Sequence, residues 1–335
     1  MTVELIIVII LALGFDFVNG FHDAANAIAT CVSTRALSPR NAIIMARTLN
    51  FFGALAHTAV AYTIGKGLIN LTDQQTAMSI VLVALVGAIS WDLITWYLGL
   101  PSSSTHALVG GMVGAGLAAI GFKCLVWSGI RKVLIAMVFS PVLGILVGLI
   151  TVTILYWLFY RSHPGVANRH FRWAQVGSAA LVSFAHGMND AQTSMGIITL
   201  ALITAGLIKT NGGSEFPVPV YVKLASAIMM GVGTSVGGWR IIKTMGQRMV
   251  DLKPIDGFAA EFSSGAVIIA NAFLGAPVST THVISCSIMG TGAAKNITSV
   301  RWNVVRRIIS AWVFTIPGAA LISGLFWHLR AIFVG

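Results

Sequence analysis

Two acidic residues in repeated motifs are the first candidates for ion chemistry. GFHDAANA, which contains Asp23, recurs in the second half of the chain as GMNDAQTS, which contains Asp190. Asn26 and Asn189 accompany the two carboxylates. Each motif interrupts an apolar run with a glycine and polar side chains, and an opened backbone at membrane depth is tolerated only where it lines a cavity or binds a ligand. We therefore expect a polar binding site where two-fold symmetry brings the motifs together.

A second pair of motifs supplies hydroxyl groups. LPSSSTH recurs as APVSTTH, so that a proline, a run of hydroxyl residues and a histidine follow in the same order. A proline followed by hydroxyls and an apolar run indicates a helix N-terminus, where free N–H groups and the helix dipole favour a phosphate-like anion. Simple N-capping of a tight hairpin is the alternative. The hydroxyl candidates are Ser102, Ser103, Ser104, Thr105, Ser279, Thr280 and Thr281.

Three further acidic residues, Asp16, Asp92 and Glu261, lie within apolar segments. An ionised side chain at the centre of a membrane helix costs at least about 2.5 to 3.5 kcal/mol on insertion scales. Each is therefore a functional candidate, with a helix cap or an interhelical hydrogen bond as the alternative. That alternative is stronger for Asp16 and Asp92, because neither has a counterpart in the other half of the chain.

No metal-ligating set is predicted from the spacing of histidines and cysteines. His106 and His282 end the hydroxyl motifs and could orient a hydroxyl or an acidic partner, but no His-x-x-x-His pattern occurs. The chain also lacks a Walker lysine, so nucleotide-driven chemistry has no support. The cysteines are interpreted as small packing residues: Cys31, Cys124 and Cys286.

The elements that must position these residues are membrane helices. Of the 335 residues, 56% are hydrophobic and only 9% are charged, whereas about a quarter of an average soluble domain is charged. The excess of Lys and Arg falls in short loops, as in polytopic membrane proteins, and is therefore not a nucleic-acid signal. About ten segments approach the roughly 20 apolar residues of a membrane helix: 5–31, 41–64, 76–98, 102–120, 133–160, 173–207, 218–238, 258–274, 278–293 and 304–333.

The repeated motifs and a matching pair of prolines, Pro141 and Pro317, occur in the same order in both halves, which indicates an internal duplication. Five segments per half is an odd number, so the second half is expected to cross the membrane in the opposite sense. We predict an all-α polytopic membrane protein of two inverted repeats, 1–165 and 166–335, with broken helices and hairpins near the midplane. The two repeats form one membrane-embedded unit.

The basic loops predict the orientation of this unit in the cell membrane. With both termini outside, the loops at 35–40, 161–172, 240–253 and 295–307 lie inside, as the positive-inside rule requires. One loop disagrees, because Lys123, Arg131 and Lys132 would lie outside. Either the segment count is off there or the preceding hairpin is re-entrant.

The paired motifs, together with GFAAEFSSGAVIIAN around Glu261, resemble the inorganic phosphate transporter (Pit) family over nearly the whole chain. The resemblance implies phosphate and coupling cations between the two motif pairs, and the residues expected at the cations are Asp23, Asp190, Glu261 and Asn50. The resemblance to sodium-coupled members implies an acidic residue at one position of the second long helix. This chain has Asn50 at that position. The phosphate ligands that the resemblance implies are Ser103, Ser104, Thr105, Ser279, Thr280, Thr281, Asn26 and Asn189.

The expected function is a symporter that imports inorganic phosphate with protons, or as a metal–phosphate complex. Two unit charges about 4 Å apart repel by about 4 kcal/mol at an effective dielectric of 20, so phosphate beside the carboxylates needs a compensating cation. His22 and His186 favour protons, while sodium coupling and sulfate as substrate remain alternatives. A membrane-embedded hydrolase and a channel are weaker interpretations, so we expect no enzyme and no cofactor. The expected partners are phosphate, the coupling cation and membrane lipid. A homodimer is compatible with the sequence but is not predicted by it.

Overall fold

The computed structural model describes residues 3–67, 74–209 and 216–334, and this part of the chain is built from α-helices. Short turns of other helical types join some of them at Gly121–Cys124, Thr244–Arg248 and Ile297–Ser299. The helices are α1 Val3–His22, α2 Ala24–Ser33, α3 Pro39–Ala56, α4 Ala59–Gly67, α5 Gln74–Leu98, α6 Ser104–Ile120, α7 Trp127–Leu158, α8 Pro164–Thr204, α9 Val220–Val236, α10 Trp239–Lys243, α11 Pro254–Phe273, α12 Thr280–Lys295 and α13 Trp302–Val334.

Each predicted apolar segment coincides with one helix or with two consecutive helices, which confirms the all-α architecture. By length and composition, five helices of the described residues could cross a membrane, or up to seven if each bent pair is one span. The bent pairs are α3 with α4, at 74°, and α9 with α10, at 60°. Short connections join α5 to α6 (the first hairpin) and α11 to α12 (the second hairpin).

The same order of shapes occurs in both halves. A long first helix or helix pair is followed by a bent pair, a hairpin and a closing helix with an internal proline, Pro141 in α7 and Pro317 in α13. Helices of the two halves also pack crosswise: α1 contacts α9 and α3 contacts α8, while α6 contacts α13 and α7 contacts α12. Such an exchange of partners is what a two-fold relation between the halves requires. The inversion relative to a membrane stays a prediction.

The two acidic motifs differ in their backbone, contrary to expectation. In the first, Asp23 alone separates α1 from α2, with φ −96° and ψ 4°, whereas α8 continues without a break through Asp190. The motif glycines do not unwind either helix. A Cβ on Gly20 would lie 2.5 Å from the Met230 carbonyl oxygen of α9, and one on Gly187 would lie 2.1 Å from the Asn50 carbonyl oxygen of α3. These glycines therefore permit the close crosswise packing of helices.

The inverted arrangement can be tested by introduced cysteines. We expect Leu37→Cys, in the α2–α3 turn, and Asn211→Cys, which lies outside the described residues, to react from opposite sides of the membrane. Leu207→Cys, at an exposed described position just before it, is expected to match Asn211→Cys. The measurement is labelling of sealed vesicles with an impermeant maleimide.

The unmodified chain is the control for that labelling, because its three cysteines are buried and should give little background. Reaction of Leu37→Cys and Asn211→Cys from the same side would contradict the inverted topology.

Candidate functional site

The centre of the molecule brings the two acidic motifs together. Ligand atoms of Asp23, His186 and Asp190 lie within 4.8 Å of one another. Both carboxylates, which we call the signature carboxylates, are at most 3% exposed. The spacing of these three residues along the sequence did not predict that they form a group of potential metal ligands. The short break after α1 and the middle of α8 position this cluster.

The second hairpin contacts both signature carboxylates through its hydroxyls. Thr280 donates to Asp190 Oδ2 at 3.0 Å, and Thr281 donates to Asp23 Oδ1 at 3.4 Å. Asn26 Nδ2 in turn donates to the hydroxyl oxygens of Thr280 and Thr281, at 3.2 and 2.9 Å. The N-terminus of α12 therefore links the first acidic motif to the second, as the paired motifs led us to expect.

One hydroxyl in each hairpin caps a helix. Ser103 Oγ accepts from the His106 N–H at 3.3 Å, and Ser279 Oγ accepts from the His282 N–H at 3.1 Å. These contacts confirm the predicted helix starts and give both serines the capping role that we considered as an alternative. Ser104 differs, because its buried hydroxyl has no hydrogen-bond partner among the described residues. The first hairpin thus has a hydroxyl, close to Asp92 of α5, that makes no well-formed hydrogen bond there and can turn to a ligand.

The amides of the acidic motifs retain free acceptors. Asn189 Nδ2 donates to Asp190 Oδ1 at 2.8 Å and to the Val278 carbonyl oxygen at 2.9 Å. The Oδ1 atoms of Asn26 and Asn189 are buried and have no partner within the described part of the chain. Thr105, in the first turn of α6, is also buried. A buried polar atom without a partner is costly, so these atoms favour a polar ligand at the site.

Each signature carboxylate has a histidine beside it. His22 Nδ1 lies 2.7 Å from Asp23 Oδ1. The other ring nitrogen of His22 lies 3.1 Å from the Thr95 hydroxyl and 3.3 Å from that of Ser102. This imidazole therefore joins the acidic motif to the start of the first hairpin.

The second histidine is oriented by the residue that replaces an acid. His186 Nε2 lies 3.2 Å from Asp190 Oδ2, and its Nδ1 lies 3.1 Å from Asn50 Oδ1. Asn50 Nδ2 donates to Thr234, whose own hydroxyl donates to the Met230 carbonyl oxygen. Since Asn50 must then present its oxygen to the ring, the proton of neutral His186 is assigned to Nδ1. The Nε2 lone pair faces the signature carboxylates.

Glu261 lies in a hydrogen-bond cluster of its own. Its carboxylate accepts from Ser178 at 2.5 Å, from Gln175 at 3.2 Å and from Thr30. The cluster joins α2, α8 and α11 and shares none of these bonds with the signature carboxylates. The structure therefore does not place Glu261 in one hydrogen-bonded group with the other two acidic candidates.

Several polar residues have partners that sequence reasoning missed. Gln192, which lies in the second acidic motif, accepts from the backbone N–H groups of Val60 and Ala61 and so satisfies the start of α4 after the bend. The rings of His106 and His282 pack edge to face at 5.0 Å, and neither orients a hydroxyl or an acid. Five further residues contact the site and were not predicted from the sequence. Their one signal was a polar side chain within an apolar run: Thr30, Thr95, Gln175, Ser178 and Thr234.

Comparisons with known proteins agree over nearly the full chain. The profile described as "Phosphate transporter family" matches residues 19–323. A Bacillus subtilis protein named "Probable low-affinity inorganic phosphate transporter" is 45% identical over 329 residues, 98% of each chain. A Mycobacterium bovis protein of the same name is 46% identical, over 99% of this chain and 78% of its own. A solved structure described as "The sodium-dependent phosphate transporter" has a TM-score of 0.90 at 26% identity, covering 99% of this chain and 100% of that one.

The hairpin hydroxyls generate a prediction on binding. We expect Ser104→Ala and Thr280→Ala each to weaken phosphate binding by about 1 to 3 kcal/mol, because a charged oxygen loses a donor or a buried partner is left unpaired. Thr280→Ser, which keeps the hydroxyl group, should retain most of the phosphate affinity that Thr280→Ala loses. Calorimetric titration of the purified protein with phosphate measures the effect.

The matched control is Thr291→Ala, which removes a buried hydroxyl from the far end of α12, where it bonds only to the backbone of Ile288. If Ser104→Ala and Thr280→Ala bind phosphate as tightly as this control, both hydroxyls serve the hairpins alone.

Proposed function

Because this chain belongs to the phosphate transporter family, we propose that it is a secondary active symporter that carries inorganic phosphate into the cell with protons. The chain is an integral, multi-pass membrane protein. Its family and relatives are transporters rather than enzymes, so the hydrolase interpretation is set aside. The single observation that supports symport most directly is the pairing of each signature carboxylate with a histidine beside free hydroxyl and amide groups.

Electrostatics supports the need for a co-transported cation. Asp23 and Asp190 are buried, and among the described residues the basic groups beside them are the two histidines, which carry a positive charge only when protonated. A phosphate near them adds at least one further negative charge in a region of low dielectric. Two like unit charges about 4 Å apart repel by about 4 kcal/mol at an effective dielectric of 20. Phosphate therefore binds well only when a cation binds with it.

Protons are the cation that this chain's own residues favour. An imidazole changes its charge near neutral pH, and both imidazoles contact the carboxylates that a proton would neutralise. Asn50 strengthens the argument, because its amide oxygen contacts His186 where an acidic side chain would add another charge. A neutral amide leaves His186 and Asp190 as the groups that gain and lose the proton.

Two other cations remain as alternatives with specific observations behind them. The solved relative is described as sodium-dependent, and the oxygens of Asp23, Asn26 and Thr281 are ligands that sodium accepts. A divalent metal carried with phosphate is the other, since His186 Nε2 and the signature carboxylates form a group that could ligate it. The contact of Nδ1 with Asn50 would orient the ring, as second-shell partners of metal-bound histidines do.

The coupling ion can be identified in proteoliposomes. We expect phosphate uptake in sodium-free buffer to depend on an imposed inward proton gradient and to collapse when an uncoupler is added, because the cation that neutralises the site is a proton. Asp190→Asn should abolish accumulation. Asp251→Asn is the matched control, since Asp251 is exposed and pairs with Arg301 at the surface.

Uptake that ignores the uncoupler and begins only when sodium is added would overturn the proton assignment. Uptake that requires a divalent metal at equal pH on both sides would favour the metal–phosphate complex.

A further inference from the structure

Asp92 is a buried acid that the proposed transport cycle does not use. It lies in α5 and is fully buried. The second half of the chain has no acidic residue at the corresponding position. Thr95, which donates to the Asp92 carbonyl oxygen, lies 3.1 Å from His22 Nε2 and 2.8 Å from the Ser102 hydroxyl of the first hairpin. The Asp92 carboxylate interacts with the His22 imidazole, the Asp23 carboxylate and the Ser104 hydroxyl. Neither Asp92 carboxylate oxygen, nor the Ser104 hydroxyl, makes a hydrogen bond of good geometry within the described residues.

The chemistry of this pair indicates what it would bind. An ionised carboxylate can only accept hydrogen bonds, while a serine hydroxyl can donate one. Side by side and without partners, they suit a ligand that presents a hydroxyl next to a bare, negatively charged oxygen. Phosphate near neutral pH has both, since it keeps at least one P–OH group. Sulfate has the same tetrahedral shape and only bare oxygens.

The other buried acids are less suited to this role. The signature carboxylates already accept hydrogen bonds from Thr280 and Thr281 of the second hairpin. Asp16, in α1, interacts with Ser194, Ser226 and the Asp190 carboxylate, which all belong to the second half of the chain and not to the first hairpin. His22 interacts with Asp92 as well as with Asp23, so its imidazole connects Asp92 to the first acidic motif.

We propose that Asp92 accepts the hydrogen bond of the protonated phosphate oxygen while Ser104 donates to a neighbouring oxygen, which makes Asp92 the residue that excludes sulfate. This inference rests on the proposed phosphate transport. A site built to bond a substrate hydroxyl rejects an analogue that lacks it by about 10⁴- to 10⁵-fold in favourable cases. With sulfate, the Asp92 carboxylate would face a bare negative oxygen. Arsenate carries the same protons as phosphate and passes the test.

The test is competition against labelled phosphate uptake in proteoliposomes, with sulfate and arsenate as competitors. For the unmodified protein we expect arsenate to compete and sulfate to compete poorly. For Asp92→Asn, whose amide can donate to a bare oxygen, we expect the ratio of the sulfate to the phosphate inhibition constants to fall at least about tenfold, with arsenate unaffected. Asp256→Asn is the control for placing an amide at a buried acid and should keep the original ratio, because Asp256 pairs with Tyr156 and Lys295 and not with the hairpins.

Two further measurements keep the proposal falsifiable if Asp92→Asn fails to fold. Ser104→Ala should weaken phosphate and sulfate together and leave their ratio unchanged, because a hydroxyl donor serves either anion. Monofluorophosphate, which has no P–OH near neutral pH, should compete as poorly as sulfate with the unmodified protein. Strong competition by monofluorophosphate or sulfate, or an Asp92→Asn protein with the original ratio, would overturn the role of Asp92. Absence of phosphate uptake by the unmodified protein would instead overturn the proposed function.

Discussion

Negative charge held inside a bundle of apolar helices is the constraint on which the rest of the structure depends. An unpaired carboxylate in such surroundings is costly enough to prevent a stable fold. In this chain Asp23 accepts a hydrogen bond from Thr281 of the opposite half and Asp190 accepts one from Thr280 of its own half. A histidine, which compensates the charge when it is protonated, lies beside each carboxylate. The donor to Asp23 comes from α12, and the histidine beside Asp190 is held by Asn50 of α3, so both carboxylates obtain their full surroundings only when the two halves are assembled. The polar centre and the crosswise packing therefore stabilise each other.

The same contacts suggest what must change during transport. Asn26 and the threonines of the second hairpin connect the two acidic motifs, and the whole group is almost completely buried. Access from either side therefore requires some of these contacts to open, and in the transport cycle proposed above we assign that opening to the second hairpin, whose hydroxyls contact both signature carboxylates. Loss of its hydroxyl donors would leave those carboxylates more costly to bury, and a bound cation would compensate. Occupancy by phosphate and cation together is in this way linked to the position of the hairpin.

Local features of the fold could be predicted from the sequence, whereas contacts between distant segments could not. The apolar segments, the helix starts at Ser103 and Ser279 and the convergence of the acidic motifs follow from periodicity, capping chemistry and duplication. The continuity of α8 was missed, because a glycine beside polar residues can permit close helix packing as readily as an open turn. Gln192 as the cap of α4, and the separate cluster of Glu261, depend on partners more than 80 residues away. Hydropathy and spacing contain no signal for such pairings.

The differences between the two copies are as informative as their similarity. The first acidic motif has His22, Asp92 and the free hydroxyl of Ser104 around it, whereas the second has His186 held by Asn50 and Thr234. After a duplication, both copies can serve the same ligand only if the site is symmetric, and phosphate with a cation is not a symmetric cargo. The free donor and acceptor on the first side suit the anion, and the oriented imidazole lone pair on the second side suits a proton or another cation. Divergence of the copies thus gives one central site two chemically different faces.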